Sequence, residues 1–392
     1  MDVLHGDARI MSASRMFSPM ERLGQAVVVM VGLVFALTVA SFVLRGGPTT
    51  VGIGGTPTPA ASPSTKAPEV KFTQDTCCSQ TARWMRASWE SSEKVQKAAV
   101  LLTPDPGFPC TSTLEASGMK GALSCGGLLQ PSTDYVAALS ITVGRDAFRY
   151  EQKFKTMGNR LADVKWFTEF ENPTGDPLAC AAASIRIVQN YTAKQDAMTA
   201  EQILAAAKPY NKSRDPGLDP VAIATIQKRL DPNNNYHYYR FATREEATKS
   251  AVYWLVRSAK PVHVISLAGQ HDPLLIGFTG AFGTWYDDPG NTINQVIVQD
   301  PQRGDMRPET ANRRPDMYRT PGFQTGQPLG LDEWYGNEWW LRFNYAGVVS
   351  GVGIDRNDGA YPAPHWAGQF VVLVDDGDAE WPSDREGRVK WV

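Results

Sequence analysis

The spacing of apolar positions changes along this chain, and each change marks a boundary. Ala26 to Leu44, AVVVMVGLVFALTVASFVL, is 19 residues without a charge, about what a helix needs to cross a hydrocarbon core of ~30 Å. Residues 46–69 have no apolar periodicity. Between 70 and 160 a helical segment, TARWMRASWESSEKVQKAAVLL, precedes strand-like runs KGALSCGG, DYVAALSITVG and AFRYEQKF, with Gly, Pro and Asp turns between them. Helical spacing returns from about 177 to 258, where Thr199 with Gln202 and Thr243 with Glu246 have the capping-box spacing. Short strands, KPVHVISLA, HDPLLIGFTG and NQVIVQDP, then follow from about 261 to 376, broken by turns such as DDPGN. Helices first and an antiparallel sheet afterwards is α+β order, not alternating βαβ.

Charge orients this plan. Arg9, Arg15 and Arg22 precede the apolar run, while after Arg45 no basic residue occurs until Lys66. That asymmetry puts residues 1–25 in the cytoplasm, makes 26–44 a single transmembrane helix, and puts the rest outside. A cleaved signal peptide would have an apolar core of roughly 7–15 residues, shorter than this one; TPAAS, at Ala60 and Ala61, is where such a signal would be cut. The Gly-, Pro-, Thr- and Ser-rich tract over 45–69 reads as an extended spacer. A net charge of −2 and no run of like charges argue against a nucleic-acid partner. Two domains remain: 70–160, small, disulfide-bonded and α+β, and 161–392, with helices followed by an antiparallel sheet.

Cys77, Cys78, Cys110 and Cys125 cluster within the first of these domains, and disulfides persist outside the cytoplasm. A bridge between neighbouring cysteines strains the backbone. Cys77 and Cys78 are therefore each expected to bridge to one of Cys110 and Cys125. The block has no histidine, so it cannot host Cys–His chemistry.

Cys180 stands apart, in GDPLACAAASIRIVQNY. Asp176 suits an N-cap and Pro177 the first helical position, with Ala181, Ile185 and Val188 on one face. In the first turn the helix dipole favours a thiolate. His271 opens HDPLLIGFTG and Asp300 closes NQVIVQDP, on strands joined by one loop. A nucleophilic thiol needs a base beside it and a carboxylate to orient that base, and these three residues supply the set. His365, in APHWAGQFVVLVDD, is the rival base, with Asp375 and Asp376 behind it. His237 and His5 read as surface residues. His263 with His271 and Asp272 lacks a fixed metal-ligand spacing, so neither metal nor cofactor is expected.

From about Val164 to Arg303 the chain resembles the papain-like cysteine peptidases of the bacterial bacteriocin-processing, double-glycine leader peptidase type. CAAAS stands where that family has a cysteine opening a helix, SAKPVHVIS where a strand follows a helix, and HDPLLIGFTG and VIVQDPQRG where its histidine and final strand lie. The resemblance implies a papain-like fold, with Cys180 as nucleophile, His271 as base and Asp300 as orienting residue. The family has Gly-Pro after the cysteine, and this chain has Ala181-Ala182. The family also places a glutamine before the cysteine to complete the oxyanion hole, yet no Gln occurs between Met157 and Cys180; Asn172 is the oxyanion candidate. The expectation is thus a membrane-anchored, extracytoplasmic thiol peptidase of the cell envelope, acting on a peptide or protein. A catalytically weak envelope binding or scaffold protein on the same fold is one alternative, and a transglutaminase-type acyl transferase another.

Overall fold

A computed structural model describes residues 66–74, 81–169, 178–196, 198–213, 217–286, 288–301, 332–344, 347–349, 366 and 368–377. The apolar run 26–44, the linker to residue 65, Cys77, Cys78, Asn172 and His365 lie outside them. Among the described residues, no helix is long and apolar enough to cross a membrane.

Among the described residues, the first part is built from strands alone: β1 (Val70–Gln74), β2 (Arg86–Ser91), β3 (Lys97–Thr103), β4 (Cys110–Leu114), β5 (Lys120–Cys125), β6 (Asp134–Val143) and β7 (Asp146–Lys155). The helix expected over 81–102 is instead β2 and β3. The reason is visible in β2, where Ala87, Trp89 and Ser91 are buried while Arg86, Ser88 and Glu90 between them are exposed. That is a period of two, and it lets Ala87 pair with Leu123 of β5. Trp89 lies against Gly121, where a Cβ would stand 2.5 Å from the indole and 2.2 Å from the Thr113 carbonyl.

A four-stranded antiparallel sheet of order β1-β2-β5-β4 and a three-stranded one of order β3-β6-β7 share one apolar core. Cys110 and Cys125 are register partners on β4 and β5 and form a disulfide with each other. This corrects the pairing expected for them. Antiparallel strands bring directly opposed side chains within bridging distance, which outweighs the clustering of cysteines in sequence.

Beyond residue 160 come α1 (Cys180–Ala193), α2 (Ala200–Ala207), α3 (Pro220–Leu230), β8 (Tyr236–Phe241) and α4 (Arg244–Ser258). The strands β9 (Val262–Ile265), β10 (Leu274–Ala281), β11 (Thr292–Gln299), β12 (Glu333–Gly336) and β13 (Phe370–Asp375) follow. The capping box at Thr199 forms with both of its hydrogen bonds to Gln202. β8 interrupts a stretch read as wholly helical. Its residues are almost all buried, so neither an alternating nor a 3.6-residue pattern marks it. The strands form one antiparallel sheet of order β12-β11-β10-β9-β13-β8, with β13 between β9 and β8. The chain is therefore mixed α+β with antiparallel sheets.

The two parts pack as one compact unit. Arg83, 1 % exposed, donates from Nε to the Leu129 carbonyl (2.7 Å) and from Nη2 to the Phe282 carbonyl (2.8 Å). Burial lowers its pKa to about 10. Residues 159–161 run beside β10, with Leu161 N–H donating to the Ile276 carbonyl at 2.8 Å.

Candidate active site

The β10–β11 pairing sets the site. Leu274 is opposite Gln299, so His271, just before β10, and Asp300, just after β11, emerge at the same end of the sheet. His271 is held by a tight turn from Ser266, whose N–H donates to the His271 carbonyl at 2.8 Å. Leu267, Ala268 and Gly269 in that turn all have positive φ (48°, 58° and 93°), a conformation costly for the two that carry a Cβ. The strained backbone sits directly before His271.

Cys180 is the first residue of α1, and Ala179, without a side-chain cap, precedes it as N-cap. The cap is therefore not Asp176, and the thiol lies closer to the helix terminus than expected. Ala181, Ala182 and Ala183 are buried; their small side chains let the start of the helix lie close to its neighbours.

His271 links the other two residues. Its Nε2–H donates to Asp300 Oδ1 at 2.8 Å, the Cys180 thiol acts on the ring from nearby, and Nδ1, on the other side of the ring, has no hydrogen-bond partner. His271 and Asp300 are 5 % and 4 % exposed. Trp166 Nε1 donates to the Asp300 carbonyl at 3.0 Å, and the Thr168 hydroxyl and Glu169 N–H both donate to the Pro301 carbonyl at 3.1 Å. Segment 166–169 is thus sewn to the end of β11 beside the site.

Burial alone would push His271 towards its neutral form. The Asp300 carboxylate, with a smaller contribution from Cys180, reverses this and holds the imidazole well above its ordinary value. Burial pushes the Cys180 thiol up; His271 pulls it down, and the Glu169 and Asp272 carboxylates add to the upward push. The helix dipole was expected to favour a thiolate; burial acts in the opposite direction.

No protein-family model matches the sequence, and no curated protein does.

The other candidates divide clearly. Asn172 and His365 lie outside the described residues. The carboxylates behind His365 are engaged elsewhere: Asp375 accepts from Lys260 Nζ at 2.5 Å, and Asp376 accepts from His237 Nδ1 at 2.9 Å and the Tyr239 hydroxyl at 2.5 Å. His237 is therefore buried rather than on the surface, because β8 is a covered strand. Among the described residues no group of three or more His, Cys, Asp or Glu side chains could hold a metal ion. His263 and Asp272 bond to each other at 2.8 Å. A cavity of about 400 Å³ opens at Arg160–Val164 and Asp332, and none of the three site residues lines it.

Sequence reasoning missed Glu169, which is 1 % exposed and acts on the thiol through its charge. Its only signal is a carboxylate in the stretch where the resemblance expects an amide.

Proposed function

We propose that this protein is a papain-like thiol hydrolase that cleaves peptide or amide bonds through an acyl-enzyme, anchored to the cell membrane with its folded part outside. The observation that supports this best is one imidazole placed between a helix-opening cysteine and a buried carboxylate. Transfer of the Cys180 thiol proton to His271 Nδ1 gives the thiolate–imidazolium pair. The thiolate attacks the carbonyl carbon, forming a C–S bond and a tetrahedral oxyanion. His271 Nδ1–H then protonates the leaving amine as the C–N bond breaks, and a thioester remains. Water attacks the thioester, giving one proton to His271; the tetrahedral intermediate then expels the thiolate, which takes that proton back, and the acid is released. Asp300 holds the ring and its charge throughout. The N–H groups of Cys180, Ala181 and Ala182, which open α1, are the proposed oxyanion donors, since the first N–H groups of a helix have no partner within it. Losing a further donor costs about 10²–10³ in rate.

A second reading follows from a specific observation. The buried carboxylates Glu169 and Asp272 oppose thiolate formation, which favours a catalytically weak envelope binding or scaffold protein on the same fold. A transglutaminase-type acyl transferase would use the same thioester, with an amine in place of water.

The test uses the full chain without strong reductant, so that the Cys110–Cys125 bridge is kept. Wild-type protein should hydrolyse a mixed peptide library, Cys180→Ala should not, and a peptide carrying an electrophilic warhead should label Cys180 alone. No hydrolysis with an unlabelled Cys180 would leave the binding protein as the reading; transfer to an added amine in preference to water would identify a transferase.

A further inference from the structure

We propose that Ser184 and the buried chain Gln227–His263–Asp272 form a positioning device that fixes His271 against Cys180. The inference rests on the reading of Cys180 and His271 as a reacting pair.

Asp272 follows His271 directly; its carbonyl and its Oδ2 are both held, while Oδ1 has no hydrogen-bond partner. The Ser184 hydroxyl donates to the Asp272 carbonyl at 2.5 Å. Ser184 lies four residues after Cys180 in α1, one turn along the same face. The helix that carries the thiol is thereby tied to the backbone that carries the base. The Asp272 carboxylate is held through Oδ2 by His263 Nδ1 at 2.8 Å, and His263 Nε2 meets Gln227 Nε2 at 3.0 Å. The amide N–H donates to Nε2, so Nδ1 carries the histidine's proton and donates it to the carboxylate. The ring is also met edge-on by Tyr236. Ser184, Gln227 and His263 are each 0 % exposed, and Asp272 is 2 % exposed.

Three elements, α1, α3 and β9, thus converge on the residue beside the base. A polar chain this deeply buried is an expensive way to fill a core, since an apolar set of equal volume stabilises as well or better. What such a chain supplies is directional restraint. The restraint acts where it is needed, because the strained turn over Leu267–Gly269 leaves the other side of His271 on a costly backbone. The charged and titratable groups around the pair are Asp300, Glu169, Asp272 and His263, and the device fixes two of these four.

The experiment is the pH dependence of Cys180 alkylation by iodoacetamide in the folded full chain, compared for wild type, Ser184→Ala, Gln227→Met and His271→Ala. His271→Ala sets the profile of a thiol without its partner, displaced to higher pH. Ser184→Ala and Gln227→Met should each move the profile in the same direction and lower the rate at neutral pH by on the order of tenfold, the scale expected when a reacting group is displaced. Either variant suffices if the other fails to fold, as judged by thermal melting. Lower melting temperatures with an unchanged profile overturn the proposal, leaving the chain as core packing. A wild-type profile already equal to that of His271→Ala also overturns it, because no pair exists to position. Shifted profiles in a protein that hydrolyses no peptide support the device while removing the proposed function.

Discussion

At Asp300 the balance at the site turns on one charge. Burial of His271 and the carboxylate 2.8 Å away act in opposite directions, and the carboxylate prevails. Because the folded-state pKa is raised, the folded protein binds that proton more tightly than the unfolded chain does. The associated stability is fully present below the unfolded histidine value of about 6.5 and is lost as pH rises through the folded value. Asp300→Asn keeps a hydrogen-bond acceptor but removes the charge. Denaturation midpoints measured from about pH 6 to about pH 9 should therefore fall less steeply in the variant than in wild type. Equal slopes would mean that the carboxylate does not hold the imidazole charged. Cys180, His271 and Asp300 were legible in the sequence because each stands at the end of an element whose type its neighbours reveal. Glu169, Ser184 and Gln227 were not. Ser184 reads as one more small residue after CAAA, and its role appears only when the Asp272 carbonyl comes to lie against it.

At the scale of elements, strands with turn residues at both ends were legible: β5, β6 and β9 fall within runs marked by alternation or by Gly, Pro and Asp, and β7, β10 and β11 overrun theirs by one or two residues. The losses have two causes. Residues 81–102 hold enough apolar positions to fit a helix, and the cross-strand partner that decides for β2, Leu123, lies more than thirty residues away in sequence. β8 is decided by β13 (Tyr239 is opposite Val372), still farther off. Tertiary pairing thus overrode local pattern in both places. The β10–β11 hairpin that aligns the site depends on Gly280, which has φ +125°, and a Cβ there would stand 2.2 Å from the Thr292 carbonyl. Gly280→Ala should cost about 1–3 kcal/mol, in the range of strained backbone positions, and chemical denaturation will read it. Because the same hairpin carries His271 and Asp300, hydrolysis should fall with it. A variant as stable as wild type would show that the hairpin relaxes freely at the bulge.

On the scale of the whole molecule, the sandwich and the helix–sheet part are joined by groups that no local pattern announces. Arg83 is the clearest: its guanidinium is held by backbone carbonyls on Leu129 and Phe282, with burial enough to bring its pKa to about 10. Arg83→Met fills similar space but leaves both carbonyls without their donor. At about 1–3 kcal/mol for each buried group left unsatisfied, the variant should lose several kcal/mol. Urea unfolding followed by tryptophan fluorescence should show it, since Trp84 donates to the Cys125 carbonyl at the same junction. A loss below about 1 kcal/mol would mean that water replaces the guanidinium. The position of β13 has a consequence for the chain as it is made. His271 and Asp300 belong to a local hairpin and can come together as soon as β11 has emerged. β8 and β9, in contrast, flank a slot that is filled only when residues 370–375 arrive. Throughout the intervening synthesis the chain carries Cys180 and His271 with two strand edges still open, the kind of edge that recruits foreign strands. The hairpin that carries His271 and Asp300 is thus complete in the emerging chain before the sheet it belongs to can close.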